Sequence, residues 1–169
     1  NSEYLGVGTH LKFYIEQGLS FYDVTPLRAT TVGTATFSAT SGSTTLTVTD
    51  IGHGAIQGDF VTFSGASSLG GVITGTVLNK EYEIVLIIDS SNYTITSAVA
   101  ANGSDTGNGG VSVTAAYQIN VGIDTVVPGN GWGAGFFSRG TWGSGATTVA
   151  GGESLRAWSQ DNFGEDLLL

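Results

Sequence analysis

Apolar and polar residues alternate with a period of two wherever this chain shows a period at all. Leu11, Phe13 and Ile15 fall on one face, against Lys12, Tyr14 and Glu16. Leu46 and Val48 alternate with Thr45, Thr47 and Thr49, and Tyr93 and Ile95 with Thr94 and Thr96. Val113, Ala115, Tyr117, Ile119 and Val121 alternate with Thr114, Ala116, Gln118 and Asn120. Successive strand side chains point to opposite faces, so each run predicts a half-buried strand. No window of helical length escapes Gly or clustered Ser and Thr, which disfavour helix. The predicted class is all-β.

Turn signals divide these runs into hairpins. Gln17-Gly18 joins a strand over residues 9–16 to one from Ser20 to Val24, and Thr25-Pro26 closes it. Asp89-Ser90-Ser91-Asn92 joins an apolar strand over residues 82–88 to the strand Tyr93–Thr96. The stretch from Ala101 to Gly110 lacks an apolar anchor and reads as a mobile surface loop. Three zones differ in flavour. Residues 1–28 mix aromatic and charged positions, and residues 29–100 are rich in Thr, Ser, Val and Ile. Residues 111–169 hold all three Trp in Gly-rich surroundings. Leu11-Lys12-Phe13-Tyr14 and Leu155-Arg156-Ala157-Trp158 share one pattern of leucine, base, any residue and aromatic. These features predict an outer β-domain (1–28 with 111–169) interrupted by a small β-barrel or sandwich module (29–100), with 101–110 as a flexible loop.

Composition narrows the function classes. The 169 residues carry a net charge of −9, which repels nucleic-acid phosphates and anionic lipid. The five bases (Lys12, Lys80, Arg28, Arg139, Arg156) are scattered and form no nucleic-acid stripe. The longest apolar run, from Ile84 to Ile88, is far short of the roughly 20 residues a spanning helix needs, so no membrane insertion is expected. Cys is absent, which removes disulfides, thiol nucleophiles and Cys-based metal sites. The chain starts Asn1-Ser2-Glu3 and contains no Met, as a processed or excised piece would. Its final Leu167-Leu168-Leu169 reads as an unpaired strand seeking a partner.

Few residues are arranged for chemistry. His53 lies between Gly52 and Gly54, and Asp59 follows Gly58. The one other His, His10, is in a different zone, so His53 and Asp59 are expected to bond main-chain groups in tight turns. Ser104 to Gly110 has oxygen-bearing residues at alternate positions but lacks the second Asp and the closing Glu of a calcium loop. Glu165 and Asp166 are adjacent and point to opposite strand faces, which excludes them as a glycosidase pair. Asn162 and Gly164 argue for a turn, so Asp161, Glu165 and Asp166 read as solvated turn charges. Gly131-Trp132-Gly133-Ala134-Gly135 lacks the strand and helix that a phosphate loop needs. The reading is therefore of a non-enzyme without a cofactor or metal. Trp132, Phe136, Phe137, Trp142 and Trp158 are the strongest cluster, serving either as a sugar-stacking platform or as the core and subunit contact of a Gly-rich domain. The second use is favoured, with Arg139 and Arg156 as interface anchors for carboxylates of a neighbouring chain.

The run Gly6-Val7-Gly8-Thr9-His10-Leu11-Lys12-Phe13-Tyr14, followed by Phe21-Tyr22-Asp23-Val24-Thr25-Pro26-Leu27-Arg28, resembles the opening of large virion proteins of tailed phages. These are similar to the tail nozzle (tail tubular protein B) class of podoviruses, whose β-propeller blades begin with a hairpin of the form G-T-x-x-x-L-Y…D-I-T-P. Trp132 to Gly135, Arg139 to Gly143 and Trp158 to Leu167 resemble that group too. The middle zone resembles a small β-module recurrent in phage tail proteins, carried by His53-Gly54, Gly58-Asp59-Phe60-Val61, Tyr82-Glu83-Ile84-Val85 and Tyr93-Thr94-Ile95. The resemblance implies a partial propeller-like β-domain with an insert, located in the virion tail. It also implies partnership with copies of itself and with other tail proteins, and passing contact with DNA in a channel. The alternatives are a receptor- or carbohydrate-binding module of a phage fibre and a capsid decoration protein.

Overall fold

The computed structural model describes residues 5–122, 158–159, 161–163 and 166–168. The chain divides into two compact units, Asn1–Phe21 with Gly122–Leu169, and Tyr22–Val121. Among the described residues the fold is all-β with a single helical turn, as the alternation predicts.

The first sheet has the order β1 (Leu5–Gly8), β2 (Phe13–Gln17) and β3 (Ser20–Asp23). β1 and β2 are antiparallel, with Leu5 opposite Glu16 and Gly8 opposite Phe13. The strand expected over 9–16 therefore starts late, and the reason is Thr9. Its hydroxyl accepts the N–H groups of Leu11 (3.2 Å) and Lys12 (2.9 Å), folding residues 9–12 into a turn instead. β3 ends where Asp23 Oδ1 accepts both the N–H (2.9 Å) and the hydroxyl (2.6 Å) of Thr25. Pro26 then has no N–H to continue a ladder.

The Tyr22–Val121 unit is a sandwich of two four-stranded antiparallel sheets. One runs β4 (Leu27–Val32), β11 (Thr114–Gln118), β7 (Phe60–Ser64), β8 (Glu81–Glu83). The other runs β5 (Thr36–Ala39), β6 (Thr45–Thr49), β10 (Asn92–Thr96), β9 (Leu86–Ile87). Their inner faces supply one core, with Phe37, Leu46, Val48, Tyr93 and Ile95 from one sheet and Val61, Phe63, Ala115 and Tyr117 from the other. Phe37 and Phe63 meet edge to face at 4.9 Å. Each such buried side chain contributes about 1.5–3 kcal/mol. The Thr residues of β6 and β10 line the opposite face. α1 (Gly75–Leu78) is one turn capped by Thr74, and it drops Leu78 into the core.

Three sequence expectations need correction here. The apolar run 82–88 is two strands in different sheets. Ile84 donates to Asp59 O at 2.8 Å and Val85 to Thr94 O at 2.9 Å, so the chain crosses from one sheet to the other between them. Residues 111–121, assigned above to the outer zone, lie in the Tyr22–Val121 unit, because β11 pairs with both β4 and β7. Residues 22–28 join the same unit. The stretch 101–110 is tied down along its length. Ala101 donates to Ser43 O, Gly107 to Leu69 O, and Phe37 to Asn108 O.

Asp105 is the anchor of that stretch, only 3% exposed. Its Oδ1 accepts the N–H groups of Gly71 (3.0 Å) and Ile73 (2.9 Å), and its Oδ2 accepts that of Asn102 (2.7 Å). Burial works to raise its pKa, but these bonds outweigh that and hold the carboxyl below its ordinary value. A carboxyl whose folded pKa is depressed stabilises the fold above its unfolded value, near 3.9, and loses that contribution as pH falls through the folded value. Urea midpoints at pH 7 and pH 3 should show Asp105→Asn much weaker than the native chain at pH 7. The gap should narrow at pH 3, and a gap that stays constant would refute the assignment.

After the sandwich, β12 (Asp161–Phe163) and β13 (Asp166–Leu168) form an antiparallel pair, with Asp161 opposite Leu168 and Asn162 opposite Leu167. Asn162, one of the two residues on which a turn is expected, is in strand, while Gly164 lies outside the described residues, and Leu167 and Leu168 are paired. No helix among the described residues is long and apolar enough to cross a membrane.

Candidate functional site

Among the described residues, a group of ionisable side chains is buried between the two sheets of the sandwich. Asp50, just past β6, accepts hydroxyls from Thr31 (2.5 Å), Thr34 (2.7 Å) and Tyr117 (2.7 Å). Tyr117 spends its proton on Asp50, so the 2.9 Å contact between the phenols makes Tyr93 the donor to Tyr117. Burial pushes both phenols far above their ordinary range and keeps them protonated. The ring of His53 packs against Tyr93 at 4.9 Å. His53 Nδ1 accepts the Ala55 N–H at 3.0 Å, which leaves Nε2 to donate to Asp89 O at 3.2 Å. Arg28 lies over the Tyr117 ring at 5.6 Å and donates to His53 O at 2.9 Å. This network joins β4, β6, β10 and β11 across the core, with its polar atoms turned toward each other. It works as a clasp.

Asp59 is a second clasp. It accepts the N–H groups of Ile56 (2.9 Å) and Val121 (2.8 Å) and the side-chain amide of Asn120 (2.6 Å), tying the exit of the unit to the start of β7. His53 and Asp59 thus bond main-chain groups, as their glycine-flanked positions predict. Both oxygens of Asp105 are likewise committed to backbone N–H groups. Among the described residues no group of three or more Asp, Glu or His side chains is placed to hold a metal ion.

The surface offers a different candidate, the β2–β3 hairpin. Its two-residue loop has Gly18 at φ 58° and Leu19 at φ 66°, the paired positive angles of a tight hairpin turn. Glycine adopts that region freely, whereas leucine is strained there by roughly 1 kcal/mol. Leu19 is the one non-glycine residue at positive φ among the described residues. It is also 93% exposed, so no packing of its side chain offsets the strain. Glu16 Oε1 accepts the Leu19 N–H at 2.6 Å and holds the tip in place. Along the outer strand β3 every residue is exposed, including Phe21 (63%) and Tyr22 (55%). Strain and apolar exposure at one place make this hairpin a candidate functional element.

Of the aromatic and arginine residues singled out in the sequence, Trp132, Phe136, Phe137, Arg139, Trp142 and Arg156 lie outside the described residues. Trp158 lies within them. Its indole N–H donates to Thr9 O at 2.9 Å and its ring meets the buried Phe13 at 4.9 Å, tilted by 39°. A Cβ on Gly8 would come within 2.3 Å of the Trp158 ring, which is why glycine precedes Thr9. Leu19, Phe21 and Tyr22 are candidate residues that sequence reasoning did not single out. The Gly18 turn signalled a hairpin, but alternation cannot reveal that both faces of its second strand stay uncovered.

No family model matches this chain, and no curated protein is similar to it. Among solved structures, the chain is similar to the phage phi92 endosialidase, with a TM-score of 0.42 and 21% sequence identity. The alignment covers 68% of this chain and 18% of that one.

Proposed function

We propose that this chain is a structural segment of a tailed-phage virion, placed in the tail, that works by assembly. The β2–β3 hairpin is its docking element, and copies of the chain stand around the tail axis with this hairpin against a neighbouring protein. The observation that carries the reading is Leu19, an exposed leucine held at a positive φ on the tip of a hairpin whose outer strand is exposed. A residue that costs the isolated fold stability and contributes nothing to its core has a use outside that fold. The phage-like run from Gly6 to Arg28, which contains the whole hairpin, supplies the setting.

Mass spectrometry of purified particles should find the chain in stoichiometric amount, and its absence would end the proposal. Within particles, Leu19→Gly combined with Phe21→Ser should cut incorporation by at least about ten-fold, since it removes two large apolar side chains whose burial contributes about 1.5–3 kcal/mol each. In the isolated chain, Leu19→Gly should leave stability unchanged or raise it by up to about 1 kcal/mol, because glycine relieves the left-handed strain. A fall in both stability and incorporation would make the hairpin a folding element instead.

A further inference from the structure

We infer that Asn102 is a site of spontaneous deamidation, and that the change loosens the anchor Asp105 provides for the stretch 101–110. The inference goes beyond the assembly reading and does not depend on it. An asparagine followed by glycine is open to this reaction because no side chain on the second residue hinders its nitrogen. The chain has three such pairs, Asn102-Gly103, Asn108-Gly109 and Asn130-Gly131, of which the third lies outside the described residues.

Hydroxide takes the Gly103 amide proton and the nitrogen attacks Asn102 Cγ. A C–N bond forms as the bond from Cγ to Nδ2 breaks. Ammonia leaves with a proton from water, which restores the hydroxide, and a five-membered imide remains. One water then opens the imide at either carbonyl, giving aspartate or isoaspartate. The Ser104 N–H donates to Asn102 Oδ1 at 2.9 Å, which places a donor on the oxygen that turns negative during attack. Gly103 is exposed and its N–H donates to no acceptor among the described residues, so hydroxide reaches it. Asn108 has the same turn, with the Gly110 N–H on its Oδ1 at 3.0 Å. There, however, Gly109 is buried, and a Cβ on it would lie 2.5 Å from the Phe37 ring. The Phe37 N–H also holds Asn108 O, and the Ser67 N–H holds Gly109 O. The fold opens one pair to the reaction and shields the other.

The product falls on the Asp105 anchor. A Cβ on Gly71 would meet Asn102 Oδ1 at 2.3 Å and Asp105 Oδ1 at 2.7 Å, so both oxygens crowd the same bare side of Gly71. Aspartate at this position sets a second carboxylate against the first, and like charges repel most at short range. Isoaspartate also routes the main chain through Cβ. The carbonyl that accepts the Asp105 N–H at 3.1 Å then becomes a free carboxylate beside the chain. Either product weakens the bonds that Gly71 and Ile73 give to Asp105.

The test keeps the full chain at neutral pH and 37 °C and follows each asparagine by peptide-mapping mass spectrometry. Asn102 should convert at least about ten-fold faster than Asn108, a modest difference in barrier. In urea the two rates should converge, since unfolding removes the shielding of Gly109. Gly103→Ala should slow conversion at Asn102 by at least about ten-fold, because its Cβ hinders the nitrogen. Gly103 is not at positive φ and has open space where its Cβ would stand, so alanine there leaves the fold intact. An Asn102 that does not convert, that converts no faster than Asn108, or that ignores Gly103→Ala overturns the site. For the anchor, hydrogen exchange at the Gly71 and Ile73 N–H groups should quicken at least about ten-fold in Asn102→Asp at pH 7. Exchange as slow as in the native chain overturns the loosening.

Discussion

Replacing Asp50 with alanine is expected to destabilise the Tyr22–Val121 unit by about 3 kcal/mol, one of the two largest effects in this protein. The loss is concentrated at one of its three donors. Thr34 is exposed and Thr31 half-buried, so both hydroxyls can turn to water. Tyr117 is fully buried, and without Asp50 its hydroxyl keeps only the Tyr93 hydroxyl as a partner, so one of the two phenol protons is left without an acceptor. An orphaned buried hydroxyl costs about 1–3 kcal/mol, and the missing carboxylate leaves a void beside it. Tyr117→Phe should cost less, about 1–2 kcal/mol, because Asp50 keeps its two threonine donors. The double variant should cost less than the sum of the two, since either change alone breaks the same bond. All three Trp lie outside this unit, so urea unfolding is best followed by far-ultraviolet circular dichroism. A loss below about 1 kcal/mol for Asp50→Ala would mean that the network is decoration on an apolar core.

Gly65→Ala should cost a similar amount, about 2–4 kcal/mol, by a different route. Gly65 follows β7 at φ 73°, where any L side chain is strained, and an added Cβ would lie 2.4 Å from the Ser112 carbonyl oxygen. That oxygen is backbone on the approach to β11, so relief requires moving one strand against its neighbour. Gly42 provides the control. It has φ 83° but open space around its Cβ position, so Gly42→Ala carries the conformational cost alone, about 1–2 kcal/mol. The difference between the two thermal midpoints measures the clash. Equal midpoints would show that the strands yield freely at Ser112.

Alternation made much of the sandwich readable in advance. At β6, β10 and β11 the apolar members (Leu46, Val48, Tyr93, Ile95, Ala115, Tyr117) are all buried, although the polar Thr94 and Gln118 are buried as well. It failed where a side chain overrode the pattern. Thr9 folds residues 9–12 into a turn although Leu11 and Phe13 keep the spacing of a strand. The apolar run around Ile84 hides a crossing, because a residue buried at the seam of two sheets is apolar on either side of it. Asp105 looked like part of a solvated tip, since local sequence gives no sign that Gly71 and Ile73 will bring their N–H groups to it. The candidate site was half readable: Gly18 announced the hairpin, and nothing local announced that Leu19, Phe21 and Tyr22 would find no cover.

By itself, then, the sequence determined the all-β class, the inward faces of the principal strands, and the main-chain roles of His53 and Asp59. Those properties depend on side-chain period and on glycine-flanked turns, both of which act within a few residues. Only the tertiary structure decided which strands share a sheet, that Asp50 takes the proton of a tyrosine 67 positions away, and that the residues of β3 are exposed. Each of these is settled by residues distant along the chain, where the balance between burial and chain entropy is struck over the whole fold.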